Sequence, residues 1–224
     1  MLYRVATPEE VRSYVEVLYP LQDRILAIAG GYGDTLVLTG GTALARCYFN
    51  HRYSDDLDFF SASPHAGDLG RDLLNALERA GLSIEPLAMT PGFVRAFVAD
   101  GRVRIPIDIA PDQPRIEPAV PSGLGIFVHT LRDIGANKIG AFENRSEVKD
   151  AVDLFHLASR LGWSQLFADA ERKRVPIAYE DLRHFLEQPL SGEALLTQPL
   201  APTPSRPSLQ RCAVKSRQRS KKSH

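Results

Sequence analysis

Residues 35 to 60 constrain the fold more than any other stretch of the chain. Thr35-Leu36-Val37-Leu38 is a short apolar run bounded by glycines, too brief for a helix and suited to a buried strand. Gly40-Gly41-Thr42 then turns the chain into Ala43-Leu44-Ala45-Arg46-Cys47-Tyr48-Phe49, which reads as a helix. A polar connection, His51-Arg52-Tyr53-Ser54-Asp55, leads to a second strand at Asp56-Leu57-Asp58-Phe59-Phe60. In such a strand Leu57 and Phe59 take the buried side, so Asp56 and Asp58 share the other face.

The flanking sequence completes an α+β pattern. Thr7-Pro8-Glu9-Glu10 has an N-cap hydroxyl, a proline at the first helical position and a glutamate placed for a capping box. The apolar positions from Val11 to Leu26 predict a helix to about residue 29, ended by Gly30, Gly31 and Gly33. Another helix fits residues 68–80, with Leu69, Leu73, Leu77 and Ala80 on one side and Gly81 as its stop. A strand fits 82–88. Asp100-Gly101 marks a hairpin between Phe93–Val98 and Val103–Ile109, and Pro106 points to an edge strand or a bulge. In Arg104-Ile105-Pro106-Ile107-Asp108-Ile109 the isoleucines alternate, leaving Asp108 on the opposite face. Helical patterns follow: Thr130 to about Phe142, Ser146 to about Leu161, and weaker ones near 163–173 and 178–187. The expected architecture is a small mixed β-sheet flanked by helices, followed by a helical C-terminal half.

A chain of 224 residues with 44% hydrophobic and 24% charged residues can bury a core, which excludes a wholly disordered or disulfide-stapled scaffold. No apolar run approaches the roughly 18 residues of a membrane span, so no membrane association is expected. The opening residues lack the apolar stretch of a secretory signal, and Cys47 and Cys212 are too few for a disulfide framework, so a reduced, cytoplasmic protein is expected.

The formal net charge of zero hides an asymmetry. Arg206, Arg211, Lys215, Arg217, Arg219, Lys221 and Lys222 fall in the last 24 residues, which hold no acidic side chain. Taking these seven from the 27 basic residues leaves 20 against 27 acidic ones in the body, a net charge of −7. The Pro- and Ser-rich tail is expected to be disordered, and is either a polyanion-binding arm suited to RNA or a solubilising terminus.

Two carboxylates at i and i+2 on a strand repel unless neutralised, and a divalent cation such as Mg2+ resolves that conflict. A double glycine lets the backbone approach a ligand closely, and the following helix N-terminus offers N–H groups to phosphate. The ordered combination describes a triphosphate held between backbone donors and magnesium. By contrast, His51-Arg52 reads as a solvated loop pair, and His129, His156 and His184 lack the spacing of a zinc site. Cys47 and Ser54 have no nearby His–Asp arrangement for nucleophilic catalysis. Tyr48, Phe49, Phe59 and Phe60 read as core.

The stretch LTGGTALARCYFNHRYSDDLDFF resembles the core motif of the AbiEii/AbiGii-type nucleotidyltransferase toxins, a branch of the DNA polymerase β-like superfamily. A second block, Lys138-Ile139-Gly140-Ala141-Phe142, Arg145, Lys149-Asp150 and Asp153-Leu154, resembles that family's K..A...R...KD..DL stretch. The resemblance spans roughly residues 35 to 160. It implies a nucleotidyltransferase fold, with a catalytic core over 1–125 and a helical region over 126–190; the disordered basic tail, placed over 191–224, is read from composition and has no counterpart in the family pattern. It further implies that Gly40, Gly41 and Thr42 hold phosphates and that Asp56 and Asp58 bind Mg2+. Asp108 stands where a third carboxylate completes the metal site or acts as base; its other reading is a solvated edge-strand aspartate. Lys138 joins the catalytic set, and Ser54, Lys149 and Asp150 join the nucleotide-binding set. Lys149, Asp150 and Asp153 also suit the first turns of a helix capped by Ser146.

The implied reaction is attack of an acceptor hydroxyl on the α-phosphate of an NTP, with pyrophosphate leaving. The implied role is that of a toxin, with RNA (a tRNA 3′ end) as acceptor and a cognate antitoxin as partner. A same-fold enzyme acting on a small-molecule or protein hydroxyl, and a non-catalytic nucleotide-binding protein, are the alternatives.

Overall fold

The computed structural model describes residues 3–112, 114–145, 147–175 and 195–197, with the side chains of 3, 143–145 and 195–197 left aside. The first helix begins where its cap dictates. The Glu10 N–H donates to the Thr7 hydroxyl at 3.3 Å, and the Thr7 N–H donates to the Glu10 carboxylate at 2.8 Å, closing the capping box on Pro8–Arg12 (α1). The path continues through a wide π-helical turn, Ser13–Leu18, into Tyr19–Ala29 (α2). Pro20 accounts for the widening, because its ring would press on the carbonyl four residues back in a regular helix. Leu21, Ile25, Leu26 and Ala29 of α2 are buried, and Gly33 at φ +61° redirects the chain into the sheet.

Among the described residues the principal sheet has seven strands. They are Leu36–Thr39 (β2), Leu57–Ser61 (β3), Ser83–Met89 (β4), Val94–Asp100 (β5), Val103–Pro111 (β6), Val120–Pro121 (β7) and Phe127–Val128 (β8), in the order β4-β5-β6-β3-β2-β8-β7. Tyr3–Val5 (β1) pairs in parallel with Leu195–Thr197 (β9) as a separate two-stranded sheet. Thus β9 stands inside the stretch expected to be disordered; the basic tail and the helix expected near 178–187 lie outside the described residues.

Alternation divides the principal sheet into two faces. Leu57, Phe59, Val94, Ala96, Val98, Ile105, Ile107 and Ile109 are fully buried on one of them. There Ala66–Arg79 (α4) packs down, and a Cβ on Gly70 would meet Val94 Cγ2 at 2.7 Å, so only a glycine admits this close approach. The other face carries Thr39, Asp58, Asp108 and Arg95. Thr39 is the register partner of Asp58 on antiparallel β2 and β3, Asp58 of Asp108 on parallel β3 and β6, and Asp108 of Arg95 on antiparallel β6 and β5.

Two sequence expectations change here. β6 is an interior strand, so Asp108 is not at the sheet edge. Pro106 is tolerated because β3 first pairs at Ile107, leaving β6 with β5 alone as neighbour at the proline. The hairpin loop is Gly101-Arg102 and not Asp100-Gly101, since Asp100 pairs with Val103; Gly101 at φ +60° takes the first loop position.

After β8 come Leu131–Arg145 (α5), Val148–Leu161 (α6) and Trp163–Arg172 (α7). They pack closely: a Cβ on Gly135 of α5 would meet Leu166 of α7 at 2.5 Å and Leu157 of α6 at 3.7 Å. Ser146, the expected cap of α6, lies outside the described residues. No described helix is long and apolar enough to cross a membrane.

Candidate active site

The turn from β2 into Gly40–Ala43 (α3) is shaped by what presses on it. Gly40 has φ +69°, and a Cβ there would fall 2.1 Å from Asp58 Oδ2. A Cβ on Gly41 would fall 2.2 Å from Arg52 Nη2 and 2.9 Å from Ser54 Oγ. Both glycines therefore serve a close approach, in which the second strand and its connection lie directly against bare backbone. The Thr42 hydroxyl, 1% exposed, donates to the Asp56 carbonyl at 2.5 Å and ties the helix start to the start of β3. Ser54 donates to Asp56 Oδ1 at 3.1 Å, while the Gln22 amide donates to the Ser54 carbonyl at 2.9 Å. Asp56 and Asp58 are half-buried at this lip. Beyond the turn the helical path widens over Leu44–Phe49 and ends at Asn50 in the left-handed conformation, φ +50°.

Gly40→Ala tests this shape. The methyl group meets both the positive φ, worth about 1–2 kcal/mol against a non-glycine residue, and the Asp58 carboxylate. The expected result is a folded protein with its melting temperature lowered by about 2–4 °C for each 1 kcal/mol lost. A thermal melt checks it; an unchanged melting temperature would show that the turn accepts the methyl group without strain.

Asp108 accepts a two-pronged contact from Arg95, with Nε to Oδ1 at 2.7 Å and Nη2 to Oδ2 at 2.5 Å. The arginine is half exposed, and Asp58 adds to the negative field that raises its pKa after the Asp108 hydrogen bond and charge.

Behind the glycine turn lies a buried ion cluster. Arg52 donates through Nε and Nη2 to the two oxygens of Asp153, at 2.7 and 2.9 Å, and through Nη1 to the Tyr53 carbonyl at 2.8 Å. Lys138 Nζ lies 2.7 Å from Asp150 Oδ1 and 2.8 Å from Asp153 Oδ2, and His51 Nε2 lies 2.7 Å from Asp153 Oδ1. Burial alone would push the Asp153 carboxyl up, but Arg52 and Lys138 outweigh it and hold it well below the ordinary carboxylate range. Burial and the neighbouring His51 ring push His156 down to about 4, which keeps it neutral. The expectation of a solvated His51-Arg52 pair is thus overturned: they are 1% and 3% exposed, because α6 brings Asp153 over them.

A second network supports β2. His129 is fully buried, with Nδ1 3.1 Å from the Thr39 hydroxyl and Nε2 2.9 Å from Asp112. Asp112 is also bonded to Arg115, and Lys173 reaches Asp133 at 3.0 Å. Among the described residues, no three His, Cys, Asp or Glu side chains converge as a ready-made metal cluster.

A glycine turn closed by a paired-aspartate strand now stands beside a Lys-Asp-Asp cluster from the two following helices. The profile of the nucleotidyl transferase AbiEii toxin family, from type IV toxin–antitoxin systems, matches residues 24–213. The chain belongs to the AbiEii family. It is accordingly a nucleotidyltransferase of a toxin lineage. Solved structures agree in fold: JHP933 from Helicobacter pylori has 20% identity and a TM-score of 0.64 over 96% of this chain and 94% of that one. MenT4, a nucleotidyltransferase toxin from Mycobacterium tuberculosis, has 17% identity and a TM-score of 0.59 over 94% and 88%. No protein with a curated description matches the chain.

Within this AbiEii fold the residues picked out by sequence fall into two groups. In the first, Asp58 and Asp108 are register partners on one face of the sheet, and Gly40, Gly41, Thr42, Ser54 and Asp56 are joined at the glycine turn beside Asp58. Lys138 and Asp150 sit in the buried cluster, 5% and 0% exposed, and Lys149 is half-buried with Glu147 at 3.1 Å. Sequence reading missed Arg95. The signal was available, since counting back from the two-residue hairpin loop sets Arg95 opposite Asp108. It also passed over His129, whose partners lie 90 and 17 residues away.

Proposed function

We propose that this AbiEii protein moves a nucleoside monophosphate from a magnesium–NTP to an acceptor hydroxyl of RNA, a tRNA 3′ end being the acceptor, and that a cognate antitoxin restrains it. The observation that carries the reading is the row Thr39, Asp58, Asp108 across three strands, with Asp58 seated against Gly40. The donor set suits a hard divalent ion: Asp56, Asp58 and Asp108 offer carboxylate oxygens that are all partly exposed, and Arg95 already sets a cation against Asp108. Asp56, Asp58 and Asp108 are the residues that would hold magnesium, which would supply charge neutralisation at the transferred phosphoryl group and the leaving pyrophosphate.

The chain's own residues do the rest. The turn at Gly40 and Gly41 offers backbone N–H groups to the phosphates, with Thr42 holding the turn to β3. Ser54 fixes the orientation of Asp56. Asp108 accepts the proton of the attacking hydroxyl as it approaches in line. Lys138 and Asp150 position Arg52 through Asp153, and Arg52 braces Gly41; Lys149 is assigned to the nucleotide's phosphates. The basic tail, with seven cations against the net −7 of the body, gives RNA an electrostatic hold. A cytoplasmic setting supplies both NTP and tRNA.

The test is transfer of label from each α-³²P NTP, with magnesium, to total cellular RNA, with Asp58→Asn alongside. A labelled tRNA-sized band that disappears in the variant is expected. Label on a protein or a small molecule instead would move the acceptor, and absence of any labelled product would overturn the reading.

A further inference from the structure

The carboxylate row is not open at both ends. Arg95 grips both oxygens of Asp108, and it comes from the strand on the side away from Asp58. Its placement is dictated by register: Arg95 faces Asp108 directly across β5 and β6, as Asp58 faces Asp108 across β3 and β6. The grip is reversible in character. Arg95 is 52% exposed and Asp108 27%, and a charge pair so placed contributes little net stability, so either partner is released at small cost. The Arg52–Asp153 pair, by contrast, is sealed from water. A guanidinium on a site built from carboxylates does what a cation would do there, and two cations do not share one carboxylate without repulsion.

We propose that Arg95 is a latch on the third carboxylate, which competes with the divalent cation for Asp108 and gives it up when that cation enters. Arg95 is then a positioning residue that sets the metal concentration at which Asp108 joins the site. This rests on the assignment of Asp56, Asp58 and Asp108 to the metal.

The experiment measures Mn2+ binding to the full chain without nucleotide, by loss of the free-ion electron paramagnetic resonance signal, so that turnover plays no part. Arg95→Gln removes the charge and keeps a side chain of similar reach. It is expected to bind Mn2+ about fivefold more tightly than wild type, the factor appropriate to a partly exposed pair. In the Asp108→Asn background the same substitution is expected to change the affinity by less than about twofold. An unchanged affinity in Arg95→Gln, with Asp58→Asn abolishing Mn2+ binding, overturns the latch and leaves the metal assignment standing. An equal gain in the Asp108→Asn background also overturns it, because the arginine then acts through the general field. Mn2+ binding untouched by Asp58→Asn overturns both the metal assignment and the latch. Thermal melts of all five proteins confirm folding.

Discussion

Asp58→Asn is expected to leave a folded protein whose transfer rate falls by about 10²–10³-fold, the usual consequence of removing one preorganised electrostatic partner of a transition state. The substitution is isosteric, so the space against Gly40 is still filled. It also leaves the β3 ladder alone, since register with Thr39 and Asp108 is set by backbone bonds. What is lost is the negative charge on the face where Asp58 and Asp108 stand together. An amide oxygen is a poorer ligand for a hard cation than a carboxylate, and it cannot balance a second positive charge. Circular dichroism and thermal melting should match wild type while transfer collapses. Full activity in the folded variant would remove Asp58 from the chemistry.

Asp153→Ala is expected to act through stability. The carboxylate bonds Arg52, Lys138 and His51 with no exposure to water, so its removal strands the buried Arg52 and leaves Lys138 with Asp150 alone. Breaking a buried pair from one side costs about 3–5 kcal/mol, a large part of the 5–15 kcal/mol that holds a typical domain. Urea unfolding at neutral pH reads the loss directly; a change under about 1 kcal/mol would mean that the cluster is hydrated or compensated. The sign of the pH dependence follows from the lowered carboxyl. Its contribution is complete above the unfolded value near about 4 and disappears as pH falls through the folded value below that. Wild type should therefore lose stability in acid below about pH 4 more steeply than the variant does. Since Arg52 braces Gly41, any folded remainder of Asp153→Ala should also transfer poorly.

These two aspartates mark how far the sequence could be read. The place of Asp58 on the polar face of β3 was legible because its signal is local: a glycine turn, a helix and alternating strand residues occur within about 20 positions, and each has a direct physical meaning. The capping box at Thr7 and Glu10, the burial of Ile105, Ile107 and Ile109, and the glycines that end helices were legible for the same reason. Asp153 was ambiguous. In a helix's first turns it suits the dipole in any protein, and nothing local says that Arg52, a hundred residues earlier, points at it. His51 and Arg52 were misread as solvated because polarity in a connection normally means exposure, and only a partner from α6 makes their burial tolerable. Pro106 pointed to an edge strand or a bulge, and β6 is interior yet has β5 alone beside the proline, because where β3 begins to pair is a matter of register.

The sequence by itself determined the α+β class, the placing of the glycine turn and Asp56-Leu57-Asp58 on one unit, and the family to which that unit belongs. Those rest on spacing along the chain, where periodicity and steric demands act within a few residues. Only the tertiary structure decided that Asp108 is interior and gripped by Arg95, that Arg52 braces Gly41 from behind, and that Lys138, Asp150 and Asp153 form one sealed cluster. Each of these is a charge taken partly or wholly out of water, and the partner that makes it affordable comes from another element. Charge compensation depends on distance in space, which strand register and helix packing set.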